Sequence, residues 1–450
     1  MPNPVQQPPE RAEGDVNLSP RRSAWSDQYI DDETAQLLAD DARYFLHQSL
    51  STPCLNAIRG SNGIYLEDLQ GRKIMDFHGN SVHQVGHGHP RVIEAIKQQL
   101  DQIPFCPRRY TNQVAVDLAK RLIDLAPEGL EKVLFAPGGT LAIGMALKLA
   151  RYATGRHKTI SMWDSFHGAS LDAISIGGEA LFRKDVGPLL PGTEHIPPPT
   201  RGKCQFNCSD EQHSGCIDYL DYVLSMQGDV AALIAEPIRW TTVELPPPGY
   251  WGRVREICDK HQVLLIFDEI PSALGRTGKM FVCDHFDVVP DMLVIGKGLG
   301  GGIFPMAALI ARKELDIAGD RALGHYTHEK SSVGCAAALA TLDCIEQEGL
   351  IKNSIELGRH ALERLMEMQS HLPLIHDVRG LGLHLGIDLR RDGKPASDDA
   401  DAVLYHSLSR GLSYKVGGGC VLTLSPPMTI TRDQLDHALD IVEQGIRSVN

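Results

Sequence analysis

Residues 263–305 read VLLIFDEIPSALGRTGKMFVCDHFDVVPDMLVIGKGLGGGIFP. Two short apolar runs stand out, 263–267 and 292–296. Both are rich in branched side chains, and each is closed by a charge: Asp268 ends the first and Lys297 the second. Runs this short and this uniformly apolar read as buried parallel strands. In open α/β sheets, ligands sit at the carboxyl ends of such strands. The stretch therefore predicts a carboxylate and an amine on a ligand-binding rim. The turn Gly298-Leu299-Gly300-Gly301-Gly302 follows the lysine at once and lets backbone come close to a bound group.

Outward from this stretch, further strand candidates lie at 133–136, 159–162 and 231–235, and helical patterns separate most of them. That alternation predicts an α/β fold with a largely parallel sheet covered on both faces. Helices are expected at 91–102, 111–125 and 141–152, and a long one is expected after about Gly334. Residues 187–202, rich in Pro and Gly, read as a surface loop. On the N-terminal side, 33–50 has helical periodicity. Residues 57–77 carry the turn pairs Asn62-Gly63 and Gln70-Gly71, which predict a β-hairpin segment. Towards the C-terminus, 378–389 and 421–424 read as strands, and 400–409 and 432–448 as helices. The expected organisation is a mobile N-terminal arm at 1–25, proline-rich at its start, and a segment at 26–85 that joins a smaller α+β domain. A large ligand-binding domain follows at 86–333, and the rest of the small domain at 334–450.

The totals narrow the function. The 450-residue chain has a net charge of −13, which disfavours a nucleic-acid partner. No apolar run approaches the roughly 20 residues of a membrane span. The N-terminus lacks the apolar core of a signal peptide, so the cytoplasm is the expected compartment. The ten cysteines are scattered, mostly among apolar neighbours, and no disulfide framework is read from them.

A lysine after a buried strand is more often a snorkelling or ion-paired residue than a nucleophile. Asp268 shifts the balance. A lysine that forms a Schiff base with pyridoxal 5'-phosphate (PLP) works with an acid that keeps the cofactor's pyridine nitrogen protonated. Such a cofactor also needs a phosphate cradle. Ala136-Pro137-Gly138-Gly139-Thr140 ends one strand candidate and opens a helix, where backbone N–H groups and a threonine hydroxyl favour phosphate. Phe166, in Phe166-His167-Gly168, is either a ring that stacks on a planar cofactor or a core aromatic.

Taken with Gly86-His87-Gly88-His89-Pro90, Glu236-Pro237, Pro247-Pro248-Gly249-Tyr250 and Pro426-Pro427, these segments resemble the class III (ω-type) PLP-dependent aminotransferases of fold type I. The resemblance implies a large domain with a mostly parallel, seven-stranded sheet and a smaller α+β domain. It also implies that Lys297 binds the cofactor, Asp268 pairs with its ring nitrogen, Gly138, Gly139 and Thr140 hold its phosphate, and Phe166 stacks on its ring. Thr327 matches a threonine that reaches the phosphate from a second subunit, which implies a homodimer with shared active sites.

The departures from the family pattern point to its amine-lyase branch. Pro271 stands where a glutamine usually faces the cofactor, and proline offers no side-chain donor. Thr423 stands where aminotransferases usually carry an arginine for the substrate's α-carboxylate, and a neutral hydroxyl cannot replace a bidentate guanidinium. An elimination enzyme needs no amino acceptor, so it does not require that arginine. The expected substrate is a small phosphonate amine; an ω-aminotransferase is the alternative. Arg109, Arg108 and Asn80, and less directly Arg239, are the candidates for substrate binding. Cys204, Cys208 and Cys216, with His213 between the last two, are loosely spaced like a metal knuckle, but no metal is assigned to the chain.

Overall fold

The computed structural model describes residues 19–48, 53–200, 206, 208 and 214–449. It forms two compact units. The larger comprises Asn80–Trp240 and Glu244–Ile351; the smaller comprises the described residues up to Gly79, Thr241–Val243 and the chain from Lys352 onward.

The larger unit is built on a seven-stranded sheet. Across the sheet the strands run Leu130–Ala136, Ala307–Arg312, Met292–Ile295, Leu264–Asp268, Val230–Ala235, Lys158–Met162, Thr193–Ile196. Ala307–Arg312 is antiparallel to both of its neighbours, and every other pairing is parallel. The two runs first read from the sequence are adjacent central strands, with Asp268 opposite Val294. Ile266, Phe267, Leu293 and Val294 are fully buried, as a sheet covered on both faces requires. One cover is helix Gly139–Thr154, which buries Ile143, Met145 and Ala146 against the sheet. It stops at Gly155, which takes the left-handed conformation that glycine tolerates best.

Glu269 secures the turn beyond the central strand. Its two oxygens accept hydrogen bonds from the backbone N–H groups of Val282 (2.6 Å) and Cys283 (2.7 Å). Burial pushes its carboxyl up from 4.5 to about 7, against the pull of those two hydrogen bonds. An acid whose folded value exceeds its unfolded one stabilises the fold most while protonated. Its contribution is complete below pH 4.5 and is lost as the pH rises through about 7. Glu269→Gln should remove that slope from a melting-temperature profile. It should also cost about 2 kcal/mol, because the amide NH2 cannot accept from the second backbone N–H.

The smaller unit contains a four-stranded sheet of Ile58–Asn62, Tyr65–Asp68, Lys73–Asp76 and Leu412–Ser413. Its second sheet is built from Ile375–Leu381, His384–Arg391, Val421–Leu424 and Lys415–Gly417. The long helices Leu350–His371 and Arg432–Val449 accompany them.

Several sequence expectations need correction. The arm expected to run to residue 25 is already helical from Pro20: Ser19 caps helix Pro20–Tyr29, proline begins it, and Trp25 is buried in the core of the smaller unit. Residues 1–18 of that arm lie outside the described residues. The loop expected at 187–202 contains strand Thr193–Ile196 on the sheet edge, a strand that period reading misses because only Ile196 is fully buried. The single strand read at 378–389 is a hairpin, because Gly382 at φ 53° reverses the chain between Leu381 and His384. Ala307–Arg312, not expected as a strand, completes the large sheet. The sequence boundary at 333/334 falls inside helix Ser332–Gln347, which packs on helices Pro90–Gln102 and Gln113–Leu125 of the larger unit. No helix among the described residues is long and apolar enough to cross a membrane.

Candidate active site

Strand Leu264–Asp268 delivers Asp268 to the sheet's carboxyl rim, where it is 2% exposed. One of its oxygens accepts from the Ile270 N–H at 3.1 Å, and the other lies 2.8 Å from Nδ1 of buried His167. Nε2 of His167 is 3.3 Å from the Ser161 hydroxyl, which is 2.9 Å from the Ser165 hydroxyl. The carboxylate thus stands at the end of a buried polar chain that fixes its orientation.

On the next strand, Gly296 leads into Lys297, a half-buried residue that begins a short 3-10 turn. Lys297 has φ 46°, in the left-handed region that costs an L-residue about 1–2 kcal/mol. The turn beyond it packs too closely for other residues: a Cβ on Gly298 would sit 1.9 Å from the Gln84 side chain.

The third element is the start of helix Gly139–Thr154. Gly138 is its extended N-cap, and no side chain caps the helix, so its first N–H groups are not satisfied by a side-chain cap. A Cβ on Gly138 would meet nothing within 4 Å, whereas one on Gly139 would lie 2.7 Å from Cδ1 of Ile270. The cradle is therefore open on one side and pressed against the Asp268 strand exit on the other. Thr140 lies against Gly168: a Cβ there would be 2.3 Å from the Thr140 hydroxyl. This donor set fits PLP: an uncapped helix N-terminus with a hydroxyl for phosphate, a fixed buried carboxylate for a ring nitrogen, and a lysine one strand away. Gly139→Ala should weaken cofactor retention and cost about 1–3 kcal/mol of stability, since Ile270 has to move; thermal melts with and without added PLP measure both effects.

Phe166 is half-buried; its N–H donates to Glu236 at 3.1 Å and its ring packs on Phe182 at 4.4 Å. Glu236, beyond strand Val230–Ala235, also accepts from Arg239 (2.7 Å) and from the Trp240 N–H (3.2 Å). Arg239 faces Glu179 at 3.0 Å and Asp164 at 3.5 Å as well. Burial works against its charge, but Glu236, Asp164 and Glu179 outweigh it and hold the guanidinium protonated above its ordinary value. Three carboxylates around one guanidinium leave no net positive charge there for a dianion. A cleft lined by Trp163, Asp164, Pro198, Thr200, Glu236 and Arg239 opens at this point. Asn80, at φ 44°, precedes Ser81, whose hydroxyl accepts from the Trp240 indole at 2.6 Å.

Arg108, Arg109 and Thr327 stand on two exposed loops of the larger unit. Arg108 reaches Nε2 of His325 at 2.9 Å, Phe105 meets His328 edge-on, and Asn112 donates to the Lys330 carbonyl. Arg109 and Thr327 are exposed. In the smaller unit, the Thr423 hydroxyl is 5% exposed and donates to the Thr241 carbonyl at 2.8 Å. Pro271 is buried in the turn after Asp268.

Sequence reasoning missed His167 as the partner of Asp268. The residue stands in the quoted Phe166-His167-Gly168, but only the aromatic was given a role. It also missed Glu236 as the anchor of Phe166 and Arg239.

An α/β sheet with a lysine and an aspartate at adjacent strand ends and a glycine-opened helix beside them defines a PLP enzyme of fold type I. The chain belongs to the aminotransferase class-III family, whose model matches residues 47–446. Among its relatives, it is 48% identical to the (R)-1-hydroxy-2-aminoethylphosphonate ammonia-lyase of Vibrio splendidus (strain 12B01), over 98% of this chain and 95% of that one. It is 34% identical to an acetylornithine aminotransferase of Methanopyrus kandleri, over 86% of this chain and 93% of that one. Among solved structures, it resembles an amine transaminase from an uncultivated Pseudomonas species in its PLP-bound form. That match has TM-score 0.84 and 30% identity and covers 90% of this chain and 99% of that one.

Proposed function

We propose that the chain is a PLP-dependent carbon–nitrogen lyase that releases ammonia from (R)-1-hydroxy-2-aminoethylphosphonate or a near analogue, giving phosphonoacetaldehyde. The likeness to the Vibrio splendidus lyase over nearly the full length of both chains carries this reading. Thr423 supports it: a neutral hydroxyl already engaged with the Thr241 carbonyl stands where an aminotransferase grips a carboxylate.

Gly138, Gly139 and Thr140 would hold the cofactor phosphate, Phe166 would offer a ring to stack on the cofactor's ring, and Asp268 would keep a proton at the ring nitrogen. Bound there, the cofactor supplies an electron sink for the carbanion. Lys297 removes a proton from the substrate carbon that bears nitrogen. The proton that Lys297 takes would pass to the neighbouring hydroxyl, which leaves as water, and a second water would hydrolyse the enamine, through its imine tautomer, to the aldehyde and ammonium. His167 holds the Asp268 carboxylate in place throughout.

The phosphonate requires a cationic receiver. Arg109, with Arg108 and Asn80 as further contributors, takes that role in our reading; Arg239, already matched by carboxylates, instead fixes the loop between Glu236 and Trp240. Arg109→Ala should raise KM for the phosphonate by at least about tenfold, the scale of one missing charge-assisted hydrogen bond. The visible spectrum of the bound cofactor should not change. Unchanged kinetics would remove Arg109 from the site.

Exposed apolar side chains support a homodimer. Leu100, Ile103, Phe105 and Tyr110 are exposed around the Arg108–Arg109 loop of the larger unit. Leu37, Tyr44 and Phe45 are exposed on and just after helix Asp32–Tyr44 of the smaller one. The dimer, in which Thr327 serves the neighbouring subunit, and a cytoplasmic location complete the proposal. The decisive assay measures ammonium released from the hydroxylated aminoethylphosphonate with no keto acid present. Turnover that depends on pyruvate or 2-oxoglutarate would make the chain an aminotransferase instead.

A further inference from the structure

Two groups of side chains have no direct part in the proton transfer. One is Cys208 with Cys216, whose sulfurs are 3.7 Å apart. Two sulfurs are too few to hold a structural metal, and Cys204 and His213 lie outside the described residues. The other is the buried polar chain behind Asp268. Ser161 lies on strand Lys158–Met162, and the backbone turns at Asp164, at φ 69°, so that Ser165 returns to it. The two hydroxyl oxygens are 2.9 Å apart, and that of Ser161 is 3.3 Å from Nε2 of His167. Ser161, Ser165 and His167 are each no more than 4% exposed, so bulk water does not set the direction of these bonds.

A backbone group sets it instead. The Gly178 N–H, shared with the Ser165 carbonyl at 2.9 Å, donates to the Ser165 hydroxyl oxygen at 3.2 Å. A backbone N–H can only donate. Glycine permits the approach, because a Cβ at 178 would stand 2.2 Å from the Met162 carbonyl oxygen. Among the described residues, Gly178 and Ser161 are the partners of the Ser165 hydroxyl. Its hydrogen therefore goes to the Ser161 oxygen, and the Ser161 hydrogen goes to Nε2 of His167, which must present a lone pair. The ring proton is then on Nδ1 and points at the Asp268 carboxylate 2.8 Å away. The other two states of the ring fail. A proton on Nε2 alone would set the Nδ1 lone pair against the carboxylate. Protons on both nitrogens would reverse the two serines and leave the Ser165 hydrogen buried without an acceptor, which is costly.

We propose that Ser161 and Ser165 are positioning residues that lock His167 in its neutral, Nδ1-protonated form and so keep the full negative charge of Asp268 available to the cofactor's ring nitrogen. This role rests on the reading of Asp268 as the partner of that nitrogen. A neutral imidazole orients the carboxylate by donating one hydrogen bond and leaves its charge in place. An imidazolium would form an ion pair with it and cancel much of that charge. The serines touch neither substrate nor cofactor in this role; they act through His167 and then Asp268.

The test is nitrogen NMR of PLP-loaded enzyme carrying isotope-labelled histidine, with His167 assigned from the signals missing in His167→Gln. In the wild type, Nδ1 should carry a directly bonded proton and Nε2 should give the signal of an unprotonated nitrogen. Reconstitution with PLP labelled at its ring nitrogen supplies a second readout. Ser161→Ala should move that signal towards the unprotonated form. It should also lower kcat for ammonia release about fivefold to tenfold, the scale of one neutral hydrogen bond, with KM unchanged. Ser165→Ala, which frees the Ser161 hydroxyl to turn, should move both readouts the same way and less far. Should the variants fold poorly, the wild-type histidine spectrum decides. A proton on Nε2 of wild-type His167, or Ser161→Ala enzyme with the ring-nitrogen signal or the kcat of wild type, would overturn the proposal. A wild-type ring-nitrogen signal in Asp268→Asn would instead remove Asp268 as the partner of that nitrogen and leave the histidine result standing.

Discussion

Lys297→Gly is expected to lower kcat for ammonia release by at least about 10⁴-fold, because it removes the group proposed to move the proton. It is also expected to leave the fold intact. Lys297 occupies a left-handed backbone conformation at φ 46°. Glycine adopts that conformation freely, so the backbone gains about 1 kcal/mol, which offsets the missing packing of the lysine stem. A melting temperature near wild type together with lost turnover therefore separates chemistry from stability. Lys297→Ala should lose the same activity, yet it should melt lower than the glycine variant because alanine keeps the strain. An exogenous primary amine should restore part of the rate to the glycine variant, because the missing base can be supplied from solution. Wild-type turnover in either variant would refute the assignment of Lys297 as the base.

Asp268→Asn is expected to lower kcat by about 10²–10³-fold, the scale of removing one preorganised electrostatic contact at the reacting group. The substitution keeps size and shape, and an amide oxygen can still accept from the Ile270 N–H or from His167, but not from both as the carboxylate does. What disappears is the negative charge that, in the proposed role, would keep a proton on the cofactor's ring nitrogen. KM should change far less than kcat, since the proposed role of Asp268 is toward the cofactor ring and not the substrate's phosphonate. Steady-state ammonium release, measured beside cofactor content, distinguishes this from simple loss of PLP. Equal losses in bound cofactor and in activity would reduce Asp268 to an anchor with no electronic role.

Much of the fold around the candidate site was readable from local pattern. Asp268 and Lys297 close two apolar runs, and the runs are adjacent strands of the sheet. Gly138-Gly139-Thr140 reads as a helix start, and it is one. These signals survive because hydrophobic period, strand length and glycine turns are properties of a few consecutive residues. Elements that owe their state to distant partners were not readable. Thr193–Ile196 is a strand because Lys158–Met162 offers it an edge, and Pro20–Tyr29 is a helix partly because Trp25 finds a core to enter. Nothing within either segment announces that partner.

Local pattern alone pointed to the candidate groups at the rim: one carboxylate, one amine and one helix N-terminus. The chain's resemblance to the aminotransferases also implied that Thr423 and Pro271 replace groups that those enzymes use. How the groups at the rim are held depends on contacts between distant segments. His167 orients Asp268 across 101 residues of chain, and Ile270 closes one side of the phosphate cradle against Gly139. Arg239, a free cation on paper, is surrounded by Glu236, Glu179 and Asp164. The physical reason is common to all three. Charge balance, orientation and close packing depend on which side chains meet in space, and no period along the chain encodes that meeting.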